Sequence, residues 1–442
     1  MSPRFADYPQ HMLELFQAAL AAVEPATAVS AHLQLIGRQL LIGQQQTYDL
    51  DQGRVFLVSV GKAAVPMAQA ASRILGSDLH AGIVIAKTLP AALALPEPIA
   101  IYTGNHPVPG PDSVRATTAV HDLLQTTTAA DLVLCLISGG TSALLSQPLL
   151  SLADWQALNQ ALLASGCPID AFNTVRRQLD AVKGGGLADW AAPARVISLI
   201  LSDVVGNPLA AIGSGPTVPG GSTPADALAV LDRYDVATRL DGGIVHRLQA
   251  ALAKRPSLTA LPTPPHFIVG DVRQAAHAAL ACAATLGFTT NLLTAQLQGE
   301  AREVGRVAAA IAKDMPPGHC IILGGETTVT LSGTGLGGRN LETALAAAIA
   351  LAGEPDVALA SLATDGEDGP TDAAGAMVTG ETAVLAQQLR LAPRTYLNHN
   401  DSYHFFQQFD QMMAGSAPPC LLQPGPTGTN VNDLVIILRY RR

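Results

Sequence analysis

Val55-Phe56-Leu57-Val58-Ser59-Val60-Gly61-Lys62-Ala63-Ala64 decides the fold: six β-type residues stop at a glycine and a lysine, and an alanine-rich helical pattern follows. A run this apolar at consecutive positions reads as a strand covered on both faces, as in a parallel sheet between helices. The same unit recurs along the chain. Residues 131–137 end in Ser138-Gly139-Gly140-Thr141-Ser142, residues 196–201 in Ser202-Asp203-Val204-Val205-Gly206-Asn207, and Ile321-Ile322-Leu323 in Gly324-Gly325-Glu326. Glycine lets backbone N–H groups come close to an anion, and a helix start behind the loop adds a favourable dipole. Such loops at the carboxyl ends of parallel strands open into one crevice. The pattern reads as a phosphate-handling enzyme.

At 442 residues the chain is long for one core, so two domains are expected. Strand–helix alternation in both halves gives an α/β fold with mainly parallel, Rossmann-like sheets flanked by helices. The proline-rich stretch 254–265 interrupts the alternation. It sets a nucleotide-binding domain at residues 1–258 and a second α/β domain at 262–442, with the last strand, 434–438, free to join either sheet. Helical spacing is expected over residues 11–22 and, past Pro25, on to Leu41, and residues 327–331 read as a strand. A net charge of −9 leaves no basic footprint, so nucleic acid is not an expected partner. An anionic substrate must then find its cations among only 26 Lys and Arg. The five cysteines lack C-x-x-C spacing and read as reduced thiols. Residues 1–10 lack a signal-peptide layout and no apolar stretch approaches a membrane span, so a cytoplasmic protein without a membrane partner is expected.

Lys62 puts an ammonium at a strand's end, where it binds phosphate oxygens as a point charge; without an anion it would oppose the helix dipole. The segment is not a P-loop, because G-x-x-x-x-G-K-[ST] is missing. Ser138 to Ser142 offers hydroxyls and N–H groups in a nest suited to a nucleotide phosphate, or else a plain strand-to-helix turn. Arg176, Arg177 and Lys183 stand near Gly184-Gly185-Gly186. On one helix Arg176 and Lys183, seven apart, would share a face, whereas three glycines favour a loop. Asp203, at a strand's carboxyl end, can hold Mg²⁺, accept a substrate proton or cap the next helix. Gly333, Gly335 and Gly338 spell G-x-G-x-x-G, with Asp365 as a ribose partner at longer than the usual spacing. Arg339 would crowd a dinucleotide there and suits bidentate recognition of a carboxylate or phosphate. The acidic turn at residues 364–372 reads equally as solvated carboxylates or as a metal or substrate contact. Residues 398–402 and 428–433 read as Asx-turn loops.

Taken together, these segments resemble the class II glycerate kinases, the glycerate 2-kinase family whose C-terminal part is called the MOFRL domain. The resemblance covers nearly the whole chain. It rests on residues 60–64, Gly104-Asn105-His106-Pro107-Val108-Pro109, residues 138–144, 173–186, 202–206, Gly213-Ser214-Gly215-Pro216-Thr217, Gly337-Gly338-Arg339-Asn340, and residues 364–375 and 428–433. It implies ATP-dependent phosphorylation of D-glycerate to 2-phosphoglycerate, with Mg²⁺ or another divalent cation, at an active site in the cleft between two α/β domains. Lys62 and Arg339 match the positions the family would make catalytic, with Asp203 as a third and as metal ligand. On that basis the nucleotide is expected at Ser138, Gly139, Gly140, Thr141, Ser142, Lys183, Asn207, Gly215 and Thr217, and glycerate at Arg176, Glu326 and Asp365. The family usually reads Gly-Gly-Arg-Asn-Gln-Glu, whereas Leu341 stands here in place of the Gln. Relatives have been labelled hydroxypyruvate reductases, which keeps an NAD(P)H-dependent reductase as the alternative. A homodimer stays open.

Overall fold

The computed structural model describes residues 3–43, 46–51, 53–89, 95–255 and 263–441, so residues 256–262 of the expected boundary lie outside the described residues. The chain forms two compact units, one of Pro25–Val269 and one joining Met1–Glu24 to Gly270–Arg442. The expected division placed residues 1–24 in the first domain. Instead, the helix Tyr8–Ala22 buries Met12, Leu15, Phe16 and Ala19 and packs on the helix Val272–Thr285. His11 Nδ1 lies 3.0 Å from the Tyr440 hydroxyl within the same unit.

The unit Pro25–Val269 begins with the helix Pro25–His32 and a small antiparallel sheet of β1 (Leu33–Ile36), β2 (Gln39–Ile42) and β3 (Gln46–Asp49). The helical spacing expected to reach Leu41 therefore stops at His32. Gly37-Arg38 is a two-residue hairpin turn that pairs Ile36 with Gln39, and such a turn overrides a helical reading of short apolar runs. The main sheet holds β4 (Val55–Val60), β5 (Leu79–Ala86), β6 (Ile99–Thr103), β7 (Leu132–Ile137), β8 (Arg195–Leu201) and β9 (His266–Gly270), in the order β6-β5-β4-β7-β8-β9. Adjacent strands from β6 to β8 pair in parallel. Every residue of β4 and β7 is buried, which is why β7 reads as an unbroken apolar run and β4 as one broken only by Ser59. From β4 the chain moves outward through β5 to β6, then returns to β7 on β4's other side. The topological switch point therefore lies between β4 and β7, where open α/β sheets bind ligands at the strands' carboxyl ends.

The second unit carries β10 (Thr289–Leu297), β11 (His319–Gly325), β12 (Val357–Ala363), β13 (Gly375–Thr379), β14 (Leu421–Leu422) and β15 (Asp433–Arg439), in the order β10-β11-β15-β12-β13-β14. Only β10 and β11 pair in parallel; the other pairs are antiparallel, so this sheet is mixed rather than mainly parallel. The last strand, β15, enters the centre of this sheet. Its register sets Asp433 opposite Gly325 on one side and Ala363 on the other. Residues 327–331 form no strand, because β10 and β15 already occupy both edges of β11. The Glu300 carboxylate takes up the Thr330 amide instead, at 3.0 Å. Leu341 is buried in the apolar core with Ala344, Leu345 and Phe405, so the residue that departs from the family pattern is a packing residue. Among the described residues no single helix is long and apolar enough to cross a membrane.

Candidate functional site

The loops after β4, β7 and β8 meet at the switch point. The Lys62 amide donates to the Gly139 carbonyl at 2.8 Å and the Ser138 amide to the Val60 carbonyl at 3.0 Å, which fixes the loops after β4 and β7 side by side. Lys62 itself is exposed. The Asp203 carboxylate presses on Gly139: a Cβ added there would lie 2.1 Å from its Oδ2. Gly140 is left-handed, at φ +87°, and the Lys62 Cγ and the His106 ring stand 3.5 Å and 3.3 Å from where its Cβ would be. Among the described residues the Gly139 and Gly140 amides make no hydrogen bond. These two glycines, with unengaged N–H groups, thus lie beside the Lys62 stem and the Asp203 carboxylate.

The hydroxyls expected to face the nucleotide point inward. Ser138 Oγ accepts the Ala63 amide at 3.1 Å, and Thr141 Oγ1 donates to the Ser138 carbonyl at 2.7 Å; both residues are buried. Ser142 is half-buried and shares a 3.0 Å contact between its Oγ and that of Ser214. Lys183 has no exposed surface, and its ammonium donates to the Ser142 and Leu145 carbonyls at 2.9 and 2.7 Å, with Asp180 at 3.5 Å. It braces the loop from beneath and does not reach a bound phosphate directly. Arg176 donates to the same Ser142 carbonyl at 2.8 Å. The two cations therefore meet, but not along one helix, since that helix ends at Leu179. Among the described residues the buried Nε of Arg176 has no hydrogen-bond partner, and burial brings its guanidinium down to about 10. Gly215 and Thr217 are also structural: the Gly215 carbonyl accepts the Gly185 amide at 2.8 Å, and Thr217 Oγ1 lies 2.9 Å from Ser198 Oγ and 3.0 Å from His266 Nε2. Asn207 closes the turn after Asp203, its amide 3.0 Å from the Val204 carbonyl.

Burial lowers the Lys183 ammonium from its ordinary 10.5 to about 8, against the pull of Asp180. Between those values the unfolded chain holds a proton that the folded chain has released, so stability rises with pH across that window. Replacing Lys183 with Met is expected to remove this rise. Urea midpoints for both proteins at about pH 8 and about pH 10 measure it.

In the other unit the register of β15 assembles a second group. Arg339, at the start of the helix Arg339–Leu351, forms a bidentate pair with Asp433 at 2.5 and 3.0 Å, and its third nitrogen lies 3.4 Å from Glu326. Asp433 is buried; burial raises its carboxyl despite the guanidinium, while the two carboxylates hold Arg339 above its usual value. Asp365 follows β12 and adds to the raising of Asp433. Sequence reasoning named Arg339, Glu326 and Asp365 but not Asp433. Its signal was a lone carboxylate opening an apolar strand. Asp368, in the acidic turn, caps the Arg339 helix by accepting the Asn340 and Leu341 amides at 3.0 and 2.8 Å. Burial pushes its carboxyl up to about 6.

That cap bears on the G-x-G-x-x-G reading. A dinucleotide pyrophosphate would need the helix start that Asp368 already fills with negative charge. The glycine loop is committed as well: Asn400 Oδ1 accepts the Ser332 and Gly333 amides, the His399 carbonyl accepts the Gly335 amide, and Asp401 accepts the Leu336 amide. The Asx loop at residues 398–402 thus holds the glycine loop shut against a cofactor.

Two family models match the chain: a domain of unknown function, DUF4147, over residues 11–249, and the MOFRL family over residues 319–433. The chain is 41% identical over 402 residues to a D-glycerate 2-kinase of Thermotoga maritima, spanning 88% of this chain and 91% of that protein. A protein of Agrobacterium vitis, named provisionally as a hydroxypyruvate reductase, is 36% identical over 449 residues, 97% of this chain and 94% of that one. The crystal structure of a glycerate kinase from Thermotoga maritima superposes with a TM-score of 0.85 at 37% identity, covering 98% of this chain and 100% of that chain.

Proposed function

The chain belongs to the glycerate kinase family that joins a DUF4147 part to a MOFRL part, and on that premise we infer that it is an enzyme phosphorylating D-glycerate to 2-phosphoglycerate. We propose ATP as the phosphoryl donor. The observation that carries this reading is the pair of unengaged amides at Gly139 and Gly140 beside Lys62, at the switch point of a parallel sheet. Phosphoryl transfer needs positioning and electrostatic stabilisation more than covalent help from the protein. In this reading the two amides and Lys62 take the phosphate oxygens, and Arg339 neutralises charge on the transferred group. Arg176, with its spare Nε–H, holds the glycerate carboxylate, while Glu326 and Asp365 contact the substrate around the hydroxyl that does not react. Lys183, Gly215 and Thr217 support the loop without touching the nucleotide.

No group of three or more metal-ligating side chains occurs among the described residues. Mg²⁺ characteristically takes one or two carboxylates and completes its shell with substrate phosphates and water, and Asp203 beside Gly139 fits that demand. Bound there, it would offset negative charge on the phosphates.

The position of Asp203 can be tested without touching its chemistry. Gly139 does not have a left-handed φ, so alanine is tolerated by the backbone and its Cβ displaces only the Asp203 carboxylate. The Gly139→Ala variant is expected to lose about 10-fold or more in kcat, as does Asp203→Asn, while keeping its melting temperature. Unchanged turnover would remove Asp203 from the mechanism.

ADP release with D-glycerate, followed by identification of the phosphoglycerate isomer, tests the whole reading. NADH oxidation with hydroxypyruvate in place of ADP release would reverse it.

A further inference from the structure

His106 is not among the residues assigned above, yet it faces the same glycine as Lys62. It lies in the loop after β6, and that loop is braced rather than loose. Asn105 Oδ1 accepts the Asp112 amide at 3.0 Å, and the Asn105 amide donates to Ser113 Oγ at 2.9 Å, tying the loop to the start of the helix Pro111–Leu124. The ring therefore stands in a defined place. Its Cδ2 and Nε2 lie 3.3 and 3.4 Å from the point where a Gly140 Cβ would be, and the Lys62 Cγ lies 3.5 Å from that point. A group resting on Gly140 is thus within reach of both the imidazole edge and the lysine stem. Among the described residues neither ring nitrogen has a hydrogen-bond partner.

We propose that His106 is the general base of the reaction, contacting the D-glycerate 2-hydroxyl through Nε2 as that oxygen attacks the terminal phosphorus of ATP. The proposal rests on the kinase reading above. The hydroxyl O–H bond breaks and its proton passes to Nε2. The new O–P bond forms as the O–P bond to ADP breaks, and ADP leaves with the electron pair. The imidazolium then returns its proton to water. Asp203, assigned to the metal, leaves this role unfilled.

The charges around the ring suit a base. Lys62 faces it from the start of the helix Ala64–Leu75 and Lys87 from the end of β5, and burial with these two cations holds the imidazole below its ordinary value. On the ring's own side Asn105 is neutral and Asp112 is paired with Arg115 at 2.8 Å; Asp203 lies beyond it, at Gly139. The ring is therefore neutral and able to accept a proton at pH 7. A general base contributes about 10²–10⁴-fold.

The test is the pH profile of kcat for ADP release by the full-length enzyme and its His106→Gln variant. The wild type is expected to lose turnover below the imidazole's titration. The variant is expected to fall about 100-fold or more in kcat, with KM for ATP little changed, and to lose that acid limb. A variant with wild-type turnover, or one that is slow but keeps the acid limb, overturns the proposal. Should the variant fold poorly, imidazole NMR of the wild type decides: D-glycerate with a non-hydrolysable ATP analogue is expected to shift the His106 resonances, and no shift overturns it. A wild type inert toward D-glycerate would instead sink the kinase reading, a separate outcome.

Discussion

Alanine at Lys62 is expected to lower kcat for ADP release with D-glycerate by about 10³-fold or more, with the melting temperature within about 2 °C of wild type. The two halves of that expectation come from different observations. The side chain is exposed, so its loss opens no buried cavity. Its backbone is held independently, through the hydrogen bond from its amide to the Gly139 carbonyl, so the two glycine loops keep their arrangement in the variant. What disappears is a point charge beside two amides that have no protein acceptor among the described residues. A preorganised cation matters most where charge develops in the transition state, so kcat rather than KM should carry the loss. Arginine at the same place keeps the charge on a longer, planar head and should recover only part of the rate. Near-normal turnover in the alanine variant would remove Lys62 from the mechanism.

Arg339→Ala is expected to be the more damaging change, in activity and in stability together. The guanidinium is both a candidate for the transferred phosphoryl group and the partner of Asp433, a buried carboxylate in the middle of the mixed sheet. Removing one member of a buried pair leaves the other charge uncompensated, which destabilises by about 3–5 kcal/mol for well-buried pairs and less here, where Arg339 is partly exposed. The double variant Arg339→Ala, Asp433→Asn separates the two roles. It is expected to regain most of the lost melting temperature while kcat stays depressed by about 10³-fold. If the double variant regains turnover as well as stability, Arg339 serves the sheet and not the reaction. Reading the sequence alone suggests that Arg339 could be removed without thermal consequence. That reading lacks the Asp433 partner, because the register of β15 is a long-range fact.

The parallel sheet was the most legible part of the molecule, for a physical reason. A strand covered on both faces reads as a near-continuous apolar run, so β4, β7 and β8 announce themselves locally despite the buried Ser59 and Ser198. The mixed sheet is harder to read because strand direction depends on which distant segment arrives beside it. Nothing in Leu434 to Leu438 says that it inserts antiparallel between β11 and β12. The glycine loops were legible as loops but not in their orientation. Ser138 and Thr141 look like phosphate ligands in sequence, and Lys183 looks like a third cation for the nucleotide. All three are turned inward by contacts to Val60, Ala63, Ser142 and Leu145 that arise only when separate loops meet. Asp433 and His106 were inside stretches singled out by resemblance, yet each looked ordinary there. Their significance lies in a neighbour far along the chain, Arg339 for one and Gly140 for the other.

The helix Tyr8–Ala22 is made before any of the surface it packs on, since its partner helix begins only at Val272. At roughly 5–20 residues per second, its apolar stripe of Met12, Leu15, Phe16 and Ala19 waits for something like 10–50 seconds on a nascent chain. During that interval the stripe lacks the helix that covers it in the finished unit. Ribosome-bound chains halted near residue 250 should expose it to protease, and chains released past the last strand should not.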